Sequence, residues 1–273
     1  AVDFIRKNRE KPFFLHLCHA MPHKPLAASD DFYTPETKDD LYADVIRELD
    51  WSAGEILDLL EELDILDQTI VIFMSDNGAS YGGNNRPLKG KKATNWDGGV
   101  RVPFLIRYPE KLPSGSVVKT PCWSPDLFPT LLSMCGIEMP EDLYVDGEEL
   151  TGVLRGEVQT HKAIFTMRGG TIRTIRKDQW KLYVENPRFY HPPDLENWVD
   201  KRAPDGVTII APYEQATPAQ YPGVKPFDME GETFLFNLQN DIAEMNNISK
   251  DNPEIVKILK EEYAKFMTSL EEE

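Results

Sequence analysis

The sequence predicts an α/β protein with a smaller antiparallel part behind it, and three observations carry that expectation. Two short, nearly continuous apolar runs at residues 13–18 and 69–74 read as buried strands. Between them, residues 41–63 place Leu41, Val45, Leu49, Ile56, Leu60 and Leu63 on one helical face, with acidic residues opposite. After about Gly156 the pattern changes to short strand-like pieces separated by Gly or Lys-Asp turns.

The elements follow in order. Residues 1–9 alternate apolar and charged as a helix does, and Lys11-Pro12 stops the run. Residues 13–18 form the first strand, 41–63 the long helix, and the β-branched 69–74 the second strand. A Gly- and Asn-rich loop runs from 76 to 99, residues 102–108 make a third strand, and 126–134 a short helix. Alternation of this kind predicts a mainly parallel sheet. Residues 163–168, 171–176 and 180–185 read as an antiparallel meander, and 233–237 as one more strand. Residues 186–231, rich in proline and aromatics, read as a long ordered insertion, and 253–270 as a closing helix. The expected division is residues 1–157 for the α/β part and 158–273 for a subdomain built on the antiparallel sheet.

Composition narrows the partners. The chain has 273 residues, 41% hydrophobic and 28% charged, so it can bury a core without disulfide or metal staples. A net charge of −16 argues against binding nucleic acid or an anionic membrane, though not against an anionic substrate in a locally basic pocket. No apolar run approaches the ~20 residues of a membrane span. The three cysteines, Cys18, Cys122 and Cys135, lack zinc-site spacing and make no disulfide framework. The opening Ala1-Val2-Asp3-Phe4 starts in mid-pattern, which suggests a piece of a longer protein.

Three segments join polar side chains to strand ends, where ligands bind in open α/β sheets. They are His19 to Pro25, then Ser75-Asp76-Asn77-Gly78, then Lys89 to Gly99. Each has a plain reading: a surface histidine, an Asx turn, a solvated lysine run. Each also has a chemical one. Asp76 and Asn77 offer hard oxygens suited to Ca²⁺ or Mg²⁺. A lysine is a point-charge partner for a sulfate or phosphate oxygen, and a histidine can protonate a departing oxygen. Together they suggest ester cleavage at a tetrahedral oxyanion, with no obvious nucleophile in the chain.

These segments resemble the arylsulfatase-type sulfatases of the alkaline-phosphatase-like superfamily. The likeness runs from Pro12-Phe13-Phe14-Leu15 and Pro22-His23-Lys24-Pro25 through Val71-Ile72-Phe73-Met74-Ser75-Asp76-Asn77-Gly78. It continues in Gly90-Lys91-Lys92 with Asp97-Gly98-Gly99-Val100-Arg101-Val102-Pro103, and in Asp126-Leu127-Phe128-Pro129-Thr130. Asp146-Gly147, and Leu235-Phe236-Asn237-Leu238 with Asp241 and Glu244, agree as well. The likeness covers nearly the whole chain and is weakest over residues 186–231.

The resemblance implies a partial alkaline-phosphatase-like α/β/α sandwich with a smaller C-terminal antiparallel-sheet subdomain. It implies hydrolysis of a sulfate ester on a sulfated small molecule or glycan, with Ca²⁺ (Mg²⁺ as the alternative) and an extracytoplasmic location. Asp76 and Asn77 fall on metal ligands, Lys92 on the lysine that holds the sulfate group, and His23 on the histidine that acts as acid. Asp97 stands where the family usually has Glu. The family's nucleophile is a formylglycine made within a C/S-x-P-x-R motif, which no Cys or Ser of this chain begins. The expectation is therefore a C-terminal portion whose nucleophile lies in a missing N-terminal part of the same enzyme. Two alternatives stand beside it: a phosphodiesterase or phosphonate hydrolase of the same superfamily, and a non-catalytic fragment that binds a sulfated glycan. Trp123, Tyr190, His191 and Trp198 are candidates for a sugar-binding mouth, and Asn247-Ile248-Ser249 fits a glycosylation sequon.

Overall fold

A computed structural model describes residues 1–23, 25–34, 41–79, 84–185, 187 and 233–271. Helix α1 (Val2–Asn8) and the long α2 (Leu41–Glu62) bury Ile5, Leu59 and Leu60 against each other. Strand β1 (Val71–Met74) follows and pairs with β2 (Phe104–Arg107), Val71 opposite Arg107 and Met74 opposite Phe104. One turn of helix, α3 (Asp97–Val100), lies in their connection. Helices α4 (Leu127–Met134) and α5 (Thr151–Leu154) come next.

The small sheet sits between two helical layers because alternate strand residues point to opposite faces. Val71 packs into the α1/α2 cluster, whereas Ile70 and Ile106 pack on Leu112, Met134, Leu150, Val153 and Leu154, which bring in α4 and α5. This helix–sheet–helix layering agrees with the α/β expectation.

Two expectations need correction. The β1–β2 pair is antiparallel, not parallel. A parallel return needs a crossover of a dozen or more residues, usually a helix. Here the connection doubles back on itself instead. The Ser75 amide donates to the Pro103 carbonyl (3.4 Å) and the Gly78 amide to the Gly99 carbonyl (2.9 Å), so the two halves of the loop run side by side beyond the strands. Residues 13–18 form no regular element and belong to no sheet among the described residues, and they are not buried. Phe13 and Leu15 touch the α1/α2 cluster while Phe14 points outward at 78% exposure. The alternation of burial has the period of a strand, but among the described residues no strand pairs with it.

The second sheet matches its reading closely. Strands β3 (Ile164–Arg168), β4 (Thr171–Lys177), β5 (Trp180–Tyr183) and β6 (Phe234–Asn237) form a meander in the order β3-β4-β5-β6, every pair antiparallel. Helix α6 (Pro253–Glu271) closes one face, with Leu259 buried among Ala163, Ile175, Leu182 and Leu235. The opposite face turns toward the connection between β1 and β2: Trp96 packs at a tilt on Tyr183 and edge-on to Phe236, with ring centroids 4.7 and 5.8 Å away. Nearly all of the expected 186–231 insertion lies outside the described residues.

Candidate active site

Asp76 and Asn77 leave the end of β1 in a bend. The Ser75 hydroxyl donates to the Asn77 carbonyl (3.1 Å), which fixes the bend without using either candidate side chain. Among the described residues no hydrogen bond or ion pair engages the Asp76 carboxylate or the Asn77 carboxamide, and Asp76 is exposed. The plain reading, in which these side chains cap their own turn, does not describe them.

The lysine loop is laid directly against this bend. The Lys92 amide donates to the Ala79 carbonyl (3.0 Å). The Asn85 side chain clamps the two segments, accepting from the Ala79 amide (2.8 Å) and donating to the carbonyls of Ala79 (3.0 Å) and Gly90 (3.1 Å). Glycine is required where the segments touch. A Cβ on Gly78 would lie 1.8 Å from the Gly98 carbonyl oxygen, and one on Gly99 would lie 2.3 Å from the Thr94 oxygen. The Asp-Asn-Gly and Asp-Gly-Gly motifs are thus two sides of one close backbone contact.

The three lysines have separate fates, and a solvated run describes none of them fully. Lys89 is buried, its ammonium donating to the Glu244 carbonyl (2.9 Å) and lying 3.9 Å from the Trp96 ring centroid. Burial pushes its pKa down to about 8, against the raising pull of Glu244 and Asp241. Lys91 is buried as well, with its amide and carbonyl both bonded to Thr94. Lys92 is half-buried, and among the described residues its ammonium makes no hydrogen bond or ion pair.

His23 stands exposed in a turn, its amide donating to the Ala20 carbonyl (3.3 Å). Its segment packs through Met21 and Leu26 on Leu41 and Val45 at the start of α2, so a different part of the fold carries it. His19 lies 3.5 Å from the Ser52 hydroxyl in the middle of α2. The main-chain bonds at Ser75, Gly78 and Ala79 lay the Lys92 loop beside the bend of Asp76 and Asn77, while His23 is carried by the segment before α2.

What holds the lysine loop includes two residues, Lys181 and Tyr183, that no motif marks. Asp97, Lys181, Glu244 and Tyr183 form a buried polar cluster between that loop and the second sheet. Lys181 Nζ lies 2.8 Å from Asp97 Oδ1 and 2.9 Å from Glu244 Oε1. Burial alone raises the Asp97 carboxyl, but Lys181, Arg176 and Arg101 hold it below its ordinary range. Burial lifts Glu244 above its ordinary value and drives the Tyr183 phenol well above its own. A second cluster ties Asp126 to His161 (2.9 Å) behind α4. Trp123 packs at Phe165, with ring centroids 6.3 Å apart, as a wall between elements. Tyr190, His191 and Trp198 lie outside the described residues.

A helix–sheet–helix layer with polar loops beyond a strand end is the arrangement in which α/β proteins bind ligands. The protein belongs to the sulfatase family, whose model, described as Sulfatase, matches residues 1–137. Human steryl-sulfatase is 35% identical over 207 residues, covering 69% of this chain and 35% of that protein. Dog N-acetylgalactosamine-6-sulfatase is 36% identical over 191 residues, covering 67% of this chain and 36% of its own. The crystal structure of Ps i-CgsB with k-i-k-neocarrahexaose superposes with a TM-score of 0.73 at 27% identity, covering 97% of this chain and 52% of that one. A structure from Bacteroides thetaiotaomicron, described in connection with metabolism of multiple glycosaminoglycans, gives 0.72 at 26% identity, covering 98% and 52%. The chain therefore spans about a third of the length of these curated relatives and about half of the solved structures.

Proposed function

We propose that this chain is the part of a sulfate-ester hydrolase that supplies the sulfate-holding lysine and one side of the metal site. The observation that carries the reading is the pairing of the two loop halves. It lays the Lys92 main chain next to the bend bearing Asp76 and Asn77, and among the described residues the Lys92 ammonium makes no hydrogen bond or ion pair. Lys92 would offset charge on the sulfuryl oxygens as the ester bond breaks, an electrostatic effect worth most where water is excluded. His23 would donate a proton to the departing oxygen.

Asp76 and Asn77 would hold Ca²⁺, or Mg²⁺, through side-chain oxygen atoms that are unengaged among the described residues. Two hard donors suit such an ion but fall short of the six to eight Ca²⁺ prefers. Among the described residues no cluster of three acidic, histidine or cysteine side chains completes the set. When bound, the ion would supply charge stabilisation and orient the reacting group. The remaining ligands and the nucleophile would come from a part of the enzyme outside this chain. Its place is suggested by apolar side chains on β1 and β2 that lack cover: Phe73, Met74, Phe104 and Leu105, with Leu105 63% exposed. The relatives are sulfatases by name, and one solved neighbour, Ps i-CgsB, holds k-i-k-neocarrahexaose, so the substrate would be a sulfated small molecule or glycan. An extracytoplasmic location accompanies this reading. Among the described residues no helix is long and apolar enough to cross a membrane.

The test uses the complete enzyme and a chromogenic aryl sulfate with saturating Ca²⁺. Lys92→Ala is expected to lower kcat by about 10²-fold, while Lys91→Ala costs only a few-fold. Equal losses at both would show that the loop register is misassigned. Residues 1–273 alone are expected to show no turnover, and activity above the buffer blank would mean that the nucleophile lies within this chain.

A further inference from the structure

The buried cluster beneath the lysine loop is larger than the packing of two sheets requires. Lys181 and Glu244 are essentially inaccessible, at 1% and 0%, and Asp97 is 2% exposed. Taking such charges out of water is costly, and apolar replacements of similar volume are often at least as stable. What charged partners add is a unique register, and the contacts here are of that kind. Asp97 is held from two sides: its carboxylate by Lys181 (2.8 Å) and Arg176 (3.4 Å), its amide by Glu244 Oε2 (2.8 Å). The Tyr183 hydroxyl lies 3.0 Å from Glu244 Oε1 and 3.2 Å from the Asn95 carbonyl oxygen. Asn95 in turn donates to the Thr166 hydroxyl (2.8 Å), and Lys89 to the Glu244 carbonyl (2.9 Å).

Apart from the Tyr183–Glu244 bond, each of these lands on Lys89, Asn95 or Asp97, at either end of the turn that carries Lys92. The turn itself is closed by the Gly98 amide on the Lys89 carbonyl (2.7 Å) and by Thr94 on Lys91. Ala93 has φ +70, a backbone state that a non-glycine residue keeps only where the surroundings impose it. No residue of β4, β5 or the 241–246 turn needs to reach the sulfate group for this arrangement to affect it.

We propose that Lys181 and Glu244 are positioning residues for Lys92, fixing through Asp97 the register of the 89–99 loop and hence the place of its free ammonium. The role rests on the sulfate-ester reading for its consequence in catalysis, but not for its effect on the loop. Neither residue touches the reacting atoms.

The experiment compares Lys181→Met and the milder Tyr183→Phe, which removes one hydroxyl, in the complete enzyme. Amide hydrogen exchange over residues 89–99 is expected to quicken on the order of tenfold in both, while β4 and β5 stay protected. Turnover of an aryl sulfate is expected to fall about 10- to 100-fold for Lys181→Met, the scale of a misplaced catalytic group. In a Lys92→Ala background the same change should cost less than about twofold, since no ammonium is left to misplace. Unchanged exchange over 89–99, or equal losses in the two backgrounds, would overturn the positioning role. Should Lys92→Ala itself leave turnover intact, the sulfate-ester reading falls, while the exchange measurement still decides whether Lys181 holds the loop.

Discussion

His161 illustrates how single residues in this fold combine groups that the sequence keeps far apart. Its Nε2 lies 2.9 Å from Asp126 Oδ2 and its Nδ1 2.8 Å from the Lys162 carbonyl oxygen. Both partners are acceptors, so both ring nitrogens must donate and the ring is drawn toward imidazolium. Burial works against the charge, yet the Asp126 hydrogen bond, the Lys162 carbonyl and the carboxylates of Asp126 and Glu148 prevail and raise its pKa above 6.5. A histidine raised by folding stabilises fully below its unfolded pKa, and that contribution is lost as pH climbs through the folded value. The melting-temperature advantage of wild type over His161→Gln should therefore be largest below about pH 6.5 and shrink as pH rises beyond it. A constant difference across the range would mean that folding leaves the ring's pKa unchanged. The Asn247 sequon is a similar case. Its amide donates to the Thr233 carbonyl (3.0 Å) and its oxygen accepts from the amides of Leu235 and Ser249 (both 3.1 Å), so the side chain serves as a brace at the start of β6.

Elements whose reasons are local could be read from the sequence, and those whose reasons lie in a distant partner could not. Helices α2 and α6 announce themselves through their apolar period, and the meander through the turns at Gly169-Gly170 and Asp178, where φ is positive. Strand direction is different in kind, because nothing in the residues of β1 says which way β2 will run. The same holds for the candidate site. Asp76, Asn77 and Lys92 sit in recognisable motifs, whereas Lys181 looks like an ordinary outward residue of an alternating strand. Glycine shows the contrast in a testable form. A Cβ on Gly98 would lie 2.4 Å from the Gly90 oxygen and 2.5 Å from the Lys89 oxygen, both rigid main chain, whereas one on Gly54 in α2 would meet nothing within 4 Å. Gly98→Ala is expected to destabilise by about 1–3 kcal/mol, and Gly54→Ala to stabilise by up to ~1 kcal/mol. Denaturant midpoints at constant m-value check both signs.

At the scale of the whole molecule the question is whether residues 1–157 and 158–273 behave as two units, the division that the change of pattern near Gly156 proposes. Between them lie the Asp97–Lys181–Glu244 ion pairs, the Trp96 ring against Tyr183 and Phe236, and the Asn95–Thr166 bond. Breaking a buried ion pair by removing one partner typically costs about 3–5 kcal/mol. Unfolding the second sheet alone would remove the partners of Asp97 and of Lys89 together, and strip the cover from Trp96. An intermediate with one half folded would thus carry a large share of the 5–15 kcal/mol that a whole domain has to lose. The two parts should therefore unfold as one. In urea, far-UV circular dichroism and tryptophan fluorescence are expected to give a single coincident transition for wild type. In Lys181→Met the same probes should separate, with the second part losing structure first. Two resolved midpoints in the wild-type chain would show that the buried charges join independent domains without coupling their stability, and the loop that carries Lys92 would then have to be held from the α/β side alone.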